Sequence, residues 1–91
     1  MHQLHLFIGG YVHSVGFRAF VKREAEKLGL TGWVRNLTDR RVEVIAQGKK
    51  EDLEKLIEEC KKGPFMAEVK GVSVTWEGTK EEYSDFKILL S

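Results

Sequence analysis

The chain has 91 residues, which is enough for one domain with a single hydrophobic core. Its 15 basic and 14 acidic side chains leave a net charge of +1, and no basic stripe follows the sequence as nucleic-acid binding would require. The single cysteine, Cys60, excludes an intramolecular disulfide and a cysteine-based zinc site. We expect no membrane-spanning segment, no signal peptide and a cytoplasmic location.

The first predicted strand is His2–Ile8, in which every second residue from Leu4 to Ile8 is apolar and falls on one face. The strand also contains His2 and His5, which are possible metal ligands. No third ligand lies within sequence reach, so surface histidines are favoured and no metal site is expected.

A loop with several glycines, Gly9–Gly16, separates this strand from a helix predicted over Phe17–Leu28 and ended by Gly29. Arg18 lies at the entrance of that helix, where partial positive charge and unpaired N–H groups favour anions and repel cations. An arginine there is favourable if an anion is bound beside it, and phosphate is the commonest such anion. Two alternatives stay open, in which Arg18 points into solvent or pairs with Glu24.

The remaining residues predict a hairpin, a second helix and two further strands. Their predicted bounds are strand Thr31–Leu37, turn Thr38–Arg40, strand Arg41–Gln47 with alternating pattern, helix Lys50–Lys62, strand Glu68–Trp76 and strand Asp85–Leu89. Cys60 falls on the apolar stripe of the second helix, which indicates a small core residue and not a nucleophile.

The element order is β-α-β-β-α-β followed by a short C-terminal strand, and residues 1–91 are predicted to form one domain. Right-handed crossovers place both helices on the same face of the sheet. The predicted fold is therefore a ferredoxin-like α+β two-layer sandwich, with two helices on one face of a mostly antiparallel sheet. This fold carries many functions, so the function must be argued from the site.

One family with this topology is the RNA recognition motif. Its members carry a short aromatic motif on the first strand, and Leu6–Gly10 resembles that motif. That family needs a second aromatic motif on strand three, where bases stack. Strand three here contains Val42–Gln47 and no aromatic residue. A nucleic acid is therefore not expected as a partner.

A second family with this topology is acylphosphatase, and this sequence resembles it in two blocks of residues. Its members carry glycine, any residue, Val-Gln-Gly-Val, a variable position and Phe-Arg between strand one and helix one, and Gly10–Arg18 is similar to that pattern. A Gly-Trp-Val-x-Asn block on strand two corresponds to Gly32–Asn36. Gly63-Pro64 and Ser84–Phe86 resemble further family landmarks. The resemblance thus covers essentially the whole chain.

The resemblance implies hydrolysis of a small-molecule acyl phosphate to a carboxylate and inorganic phosphate, by direct in-line attack of water and without a metal or organic cofactor. It implies that Arg18 binds the phosphate and that Asn36 positions the water. Inorganic phosphate is expected as product and competitive inhibitor, and a monomer is expected. Backbone N–H groups can ring the phosphoryl oxygens over a phosphate-binding loop that consists of His13, Ser14, Val15, Gly16, Phe17 and Arg18.

Three residues depart from the family pattern. His13 replaces the usual glutamine, and it is interpreted as an orienting residue in preference to an acquired general base. Ser14 replaces the usual second glycine, where positive φ would strain the backbone or where a hydroxyl would add a contact to phosphate. Arg40 stands where the hairpin turn usually has glycine. The alternative function is therefore a catalytically weakened phosphate-binding module of the same family.

Overall fold

The structure is a computed structural model that describes residues 1–90. It contains five strands and two helices. In chain order they are β1 (His2–Tyr11), α1 (Phe17–Lys27), β2 (Thr31–Asn36), β3 (Val42–Gly48), α2 (Lys50–Lys62), β4 (Glu68–Glu77) and β5 (Phe86–Ile88). No helix within residues 1–90 is long and apolar enough to cross a membrane.

The strands form one sheet in the order β4-β1-β3-β2-β5. Every neighbouring pair is antiparallel except β2 and β5, which run parallel. Both helices pack against this mixed sheet, so the predicted ferredoxin-like α+β fold is confirmed.

The hydrophobic core lies between the helices and the face of β1 that carries Leu4, Leu6 and Ile8. Each helix contributes an apolar stripe to it, as the helical periodicity predicts. The helix residues in the core are Phe17, Phe20, Val21 and Ala25 from α1, and Leu53, Leu56, Ile57 and Cys60 from α2. Cys60 is fully buried, which confirms its interpretation as a core residue, and this burial raises the pKa of its thiol to about 12.

Strand β3 differs from the expected alternation, because every residue of Val42–Gln47 is buried. It is the central strand, and its polar side chains on the helix-free face are satisfied by hydrogen bonds. Glu43 accepts bonds from Arg35 (2.7 Å) and pairs with His5 (2.6 Å). His5 is therefore a half-buried member of a polar network on the helix-free face of the sheet.

Strand β1 continues three residues beyond its predicted end at Ile8. Gly9 and Gly10 belong to the strand, and a bulge between them shifts its pairing with β4. A Cβ at Gly10, where φ is +126°, would lie 2.2 Å from the Glu68 carbonyl oxygen, so the bulge requires glycine. The placement of these two glycines in a loop was wrong, and the loop between β1 and α1 is residues 12–16.

The other predicted bounds differ from the structure by at most one residue at each end. Helix α2 matches at both ends, α1 ends one residue early at Lys27, and β5 is shorter than predicted by one residue at each end. Strand ends depend on hydrogen bonds to neighbours that are distant in sequence, whereas the stripe of α2 is a local pattern.

Candidate active site

A cleft of about 210 Å³ opens where the β1–α1 loop meets the ends of β2 and β5. It is lined by polar residues from the two sequence blocks and by apolar residues around them. The lining residues are Val12, Ser14, Gly16, Phe17, Arg18, Ala19, Asn36, Ile88 and Leu90. The fold therefore brings Arg18 and Asn36, which are 18 positions apart in the chain, to one cavity.

The N-terminus of α1 opens onto this cleft without a cap. Gly16 precedes the helix in the left-handed region (φ 79°, ψ 19°), no side chain caps the first turn, and that turn contains no acidic residue. The Phe20 N–H bonds the Gly16 carbonyl at 3.0 Å, but within residues 1–90 no backbone carbonyl accepts the N–H groups of residues 13–19. These N–H groups and the helix dipole together favour a bound anion.

Arg18 is half-buried beside these N–H groups, and no carboxylate in the described chain forms a salt bridge with it. The alternative partner, Glu24, instead lies 3.3 Å from the Lys27 ammonium and 3.7 Å from Arg23 Nε. Pairing of Arg18 with Glu24 is therefore excluded. Arg18 lines the cleft and forms no salt bridge within residues 1–90, so its planar pair of N–H donors is unpaired beside the anion-favouring loop.

Asn36 is the last residue of β2, where its backbone pairs with Val42 of β3. Its side-chain Oδ1 is buried and has no hydrogen-bond partner in residues 1–90. A buried acceptor without a donor costs about 1–3 kcal/mol. Asn36 also lines the cleft, so its side chain lies at the same cavity as Arg18, although Oδ1 itself is enclosed by protein atoms.

Comparison with known proteins decides the family. A family model described as Acylphosphatase matches residues 4–88 of this chain. The chain belongs to the acylphosphatase family. The blocks Gly10–Arg18 and Gly32–Asn36, on which the resemblance depends, are the segments that supply Arg18 and Asn36 to the cleft.

Individual acylphosphatases are similar to the chain over nearly its full length. The acylphosphatase of Methylococcus capsulatus (strain Bath) is 42% identical over 89 residues, which are 98% of this chain and 97% of that protein. The crystal structure of acylphosphatase from Bacillus subtilis superposes with a TM-score of 0.95 at 39% identity, covering 98% of this chain and 99% of that one. An acylphosphatase structure from Coxiella burnetii gives 0.93 at 38% identity, covering 97% and 92%.

The two loop residues that depart from the acylphosphatase pattern occupy different positions. Ser14 is exposed, lines the cleft and has φ of 59°, as expected for a position that favours glycine. His13 does not line the cleft; its Nε2 lies 2.9 Å from the Arg41 carbonyl oxygen, to which it must donate because a carbonyl only accepts. This contact between the loop and the hairpin favours the orienting interpretation of His13 over a general base.

Val15 also lies outside the cleft, and its half-buried side chain packs against the core. Conversely, sequence reasoning did not identify Val12, Ala19, Ile88 or Leu90 as part of the site. Ile88 reaches the cleft because β5 pairs in parallel with β2, opposite Val34. Only the alternation Phe86-Lys87-Ile88 signals an inward-facing Ile88, and nothing local predicts which strand it joins.

Proposed function

We propose that this chain hydrolyses acyl phosphates to a carboxylate and inorganic phosphate in the cleft between the β1–α1 loop, β2 and β5. The observation that carries the proposal is that Arg18, with its charge unneutralised by residues 1–90, and Asn36 line one cleft at an uncapped helix N-terminus. The family supports the same reaction, since relatives named acylphosphatase match this chain over nearly its full length.

The phosphoryl group is assigned to the loop. Backbone N–H groups of the loop residues that line the cleft surround its oxygens, and the Arg18 guanidinium binds two of these oxygens with charge-assisted hydrogen bonds. These contacts stabilise the charge on the equatorial oxygens as the bond to the leaving group lengthens. This assignment gives the unsatisfied N–H groups and the unneutralised guanidinium a common partner.

The attacking water is assigned to Asn36, whose side-chain amide forms a hydrogen bond with it and holds it in line with phosphorus. The water oxygen forms the new P–O bond, and the bond from phosphorus to the acyl oxygen breaks with its electron pair on the carboxylate. The water proton passes to a phosphate oxygen. The leaving carboxylate has a conjugate-acid pKa of about 4, so no general acid is needed.

The weakened phosphate-binding module is the less favoured alternative. It depends on strain at Ser14, but Arg18 and Asn36 occupy the same cleft in spite of that strain. We further propose that the chain acts as a monomer, because a single chain supplies every residue to which a role is assigned, and that it is located in the cytoplasm. Neither a nucleic acid nor a membrane is a proposed partner.

The test is hydrolysis of benzoyl phosphate by the purified chain in the presence of a metal chelator. We expect turnover that the chelator does not reduce and that inorganic phosphate inhibits competitively. Phosphate binding without turnover would instead support the weakened module. Activity that is lost on chelation and restored by a divalent metal would contradict the proposed mechanism.

A further inference from the structure

The cleft has an apolar side to which no part of the reaction has yet been assigned. Val12 and Phe17 are each only 1% exposed, so they belong to its floor and to the core. The apolar side chains that stay accessible are those of Ala19, Ile88 and Leu90. Because an acyl phosphate has two ends, and the loop and Arg18 take the phosphoryl end, this side is left for the acyl group.

Leu90 is the most exposed of these residues, at 88%. Its position follows from the β2–β5 pairing, because the N–H of the preceding Leu89 donates to the Val34 carbonyl at 2.9 Å. Leu90 is thus held at the rim of the cleft with its apolar surface in water. An apolar group bound beside it would remove that surface from water, which is favourable.

The charges of the residues that line the cleft also favour an apolar acyl group. Among the described residues that line the cleft, Arg18 is the only cation and no carboxylate is present. Once Arg18 binds the phosphoryl group, no second cation in this lining can pair with a further anionic group. An acyl group with its own negative charge would lose water without gaining a partner, which is costly.

We propose that Ile88 and Leu90 form the acyl-side wall of the cleft and select acyl phosphates whose acyl group is apolar over those with a second negative charge. This inference rests on the proposed function, because it assigns the other half of the same substrate. It makes Leu90 a specificity-determining residue that acts on the acyl group and leaves the phosphoryl contacts unchanged.

The test compares kcat/KM for benzoyl phosphate, acetyl phosphate and 4-carboxybenzoyl phosphate. For the parent chain we expect benzoyl phosphate to exceed its 4-carboxy analogue by about tenfold or more. Leu90→Ala should lower kcat/KM for benzoyl phosphate about fivefold and for acetyl phosphate less than about twofold. Leu90→Lys should raise the value for the 4-carboxy analogue relative to benzoyl phosphate. Leu89→Ala is the matched control, since Leu89 does not line the cleft, and it should leave these ratios unchanged.

The outcomes separate the two proposals. A parent chain that hydrolyses all three compounds, with ratios that neither Leu90 variant changes, would overturn the acyl-side wall and leave the proposed function standing. Equal losses for benzoyl and acetyl phosphate in Leu90→Ala would also overturn it. Failure of the parent to hydrolyse any of the three would overturn the proposed function, and the acyl-side wall with it.

Discussion

The side-chain Oδ1 of Asn36 is buried, and no donor within residues 1–90 forms a hydrogen bond with it. Buried polar atoms without a partner are uncommon in stable proteins. Its backbone pairs with Val42 across the hairpin. In the mechanism that we propose, the Asn36 side-chain amide holds the attacking water, so this cost in stability accompanies its proposed catalytic role.

We predict that Asn36→Ala lowers kcat by about a hundredfold or more, because positioning of the water matters only in the transition state. Inhibition by inorganic phosphate should persist, since the loop and Arg18 are unchanged. The free energy of unfolding should stay the same or rise by about 1 kcal/mol, because the substitution removes an unpaired buried acceptor. Steady-state kinetics and denaturant unfolding measure these effects.

A different role for Asn36 would give a different pattern. Loss of phosphate affinity by the same factor as the rate would make Asn36 a phosphate ligand. Loss of stability with a normal rate would make it a structural residue of the hairpin.

At the scale of elements, the β1–α1 loop follows a backbone path that Ser14 tolerates poorly. A non-glycine residue in the left-handed region costs about 1–2 kcal/mol, and φ at Ser14 is 59°. We therefore predict that Ser14→Gly raises kcat/KM, by at most about tenfold per 1.4 kcal/mol of strain released, and raises the free energy of unfolding. Progress curves at saturating and subsaturating substrate give the kinetic effect.

Arg40→Gly provides the matched control for this prediction. Arg40 has φ of 78°, and it lies in the hairpin turn outside the cleft lining. The same release of strain there should raise the free energy of unfolding and leave kcat/KM unchanged. A slower Ser14→Gly chain with weaker phosphate binding would show that the hydroxyl contacts phosphate, and the strain argument would fail.

Strand β2 shows how one block can combine packing with chemistry. A Cβ at Gly32, where φ is +141°, would lie 1.9 Å from the Ile45 carbonyl oxygen, so β3 approaches β2 too closely for any other residue. Four residues later the same strand ends at Asn36. The spacing of the Gly-Trp-Val-x-Asn block therefore joins a strand contact to a cleft residue.

For the whole molecule, patterns local in sequence predicted the structure well. The apolar stripe of α2, bounded by Gly48 and by Gly63-Pro64, predicted this helix with both of its ends, and Gly29 adopts the left-handed conformation expected after a helix. Features set by distant residues were missed. Glu43 is buried because His5 and Arg35 from the neighbouring strands cover it, and an alternating pattern does not reveal such partners.

The candidate site shows the same division. Arg18 could be predicted because a helix N-terminus and its polarity are local features. The burial of Asn36 Oδ1, the contact from His13 to Arg41 and the placement of Leu90 all depend on how the loop, the hairpin and β5 meet. No residue pattern within a single element predicts these contacts between elements.

The central claim is that the β1–α1 loop and Arg18 form the anion site, and phosphate binding to the Arg18→Ala variant tests it most directly. Titration calorimetry with inorganic phosphate would compare the parent chain, Arg18→Ala, Arg18→Lys and the control Arg23→Ala. Arg23 is a mostly exposed arginine on the same helix and does not line the cleft. All four chains should unfold at similar denaturant concentrations.

We expect the parent and Arg23→Ala to bind phosphate equally, and Arg18→Ala to bind at least about tenfold more weakly and to lose turnover. Arg18→Lys should recover only part of the affinity, because a point charge cannot replace the planar pair of donors. An Arg18→Ala chain that bound phosphate as tightly as the parent would contradict the account.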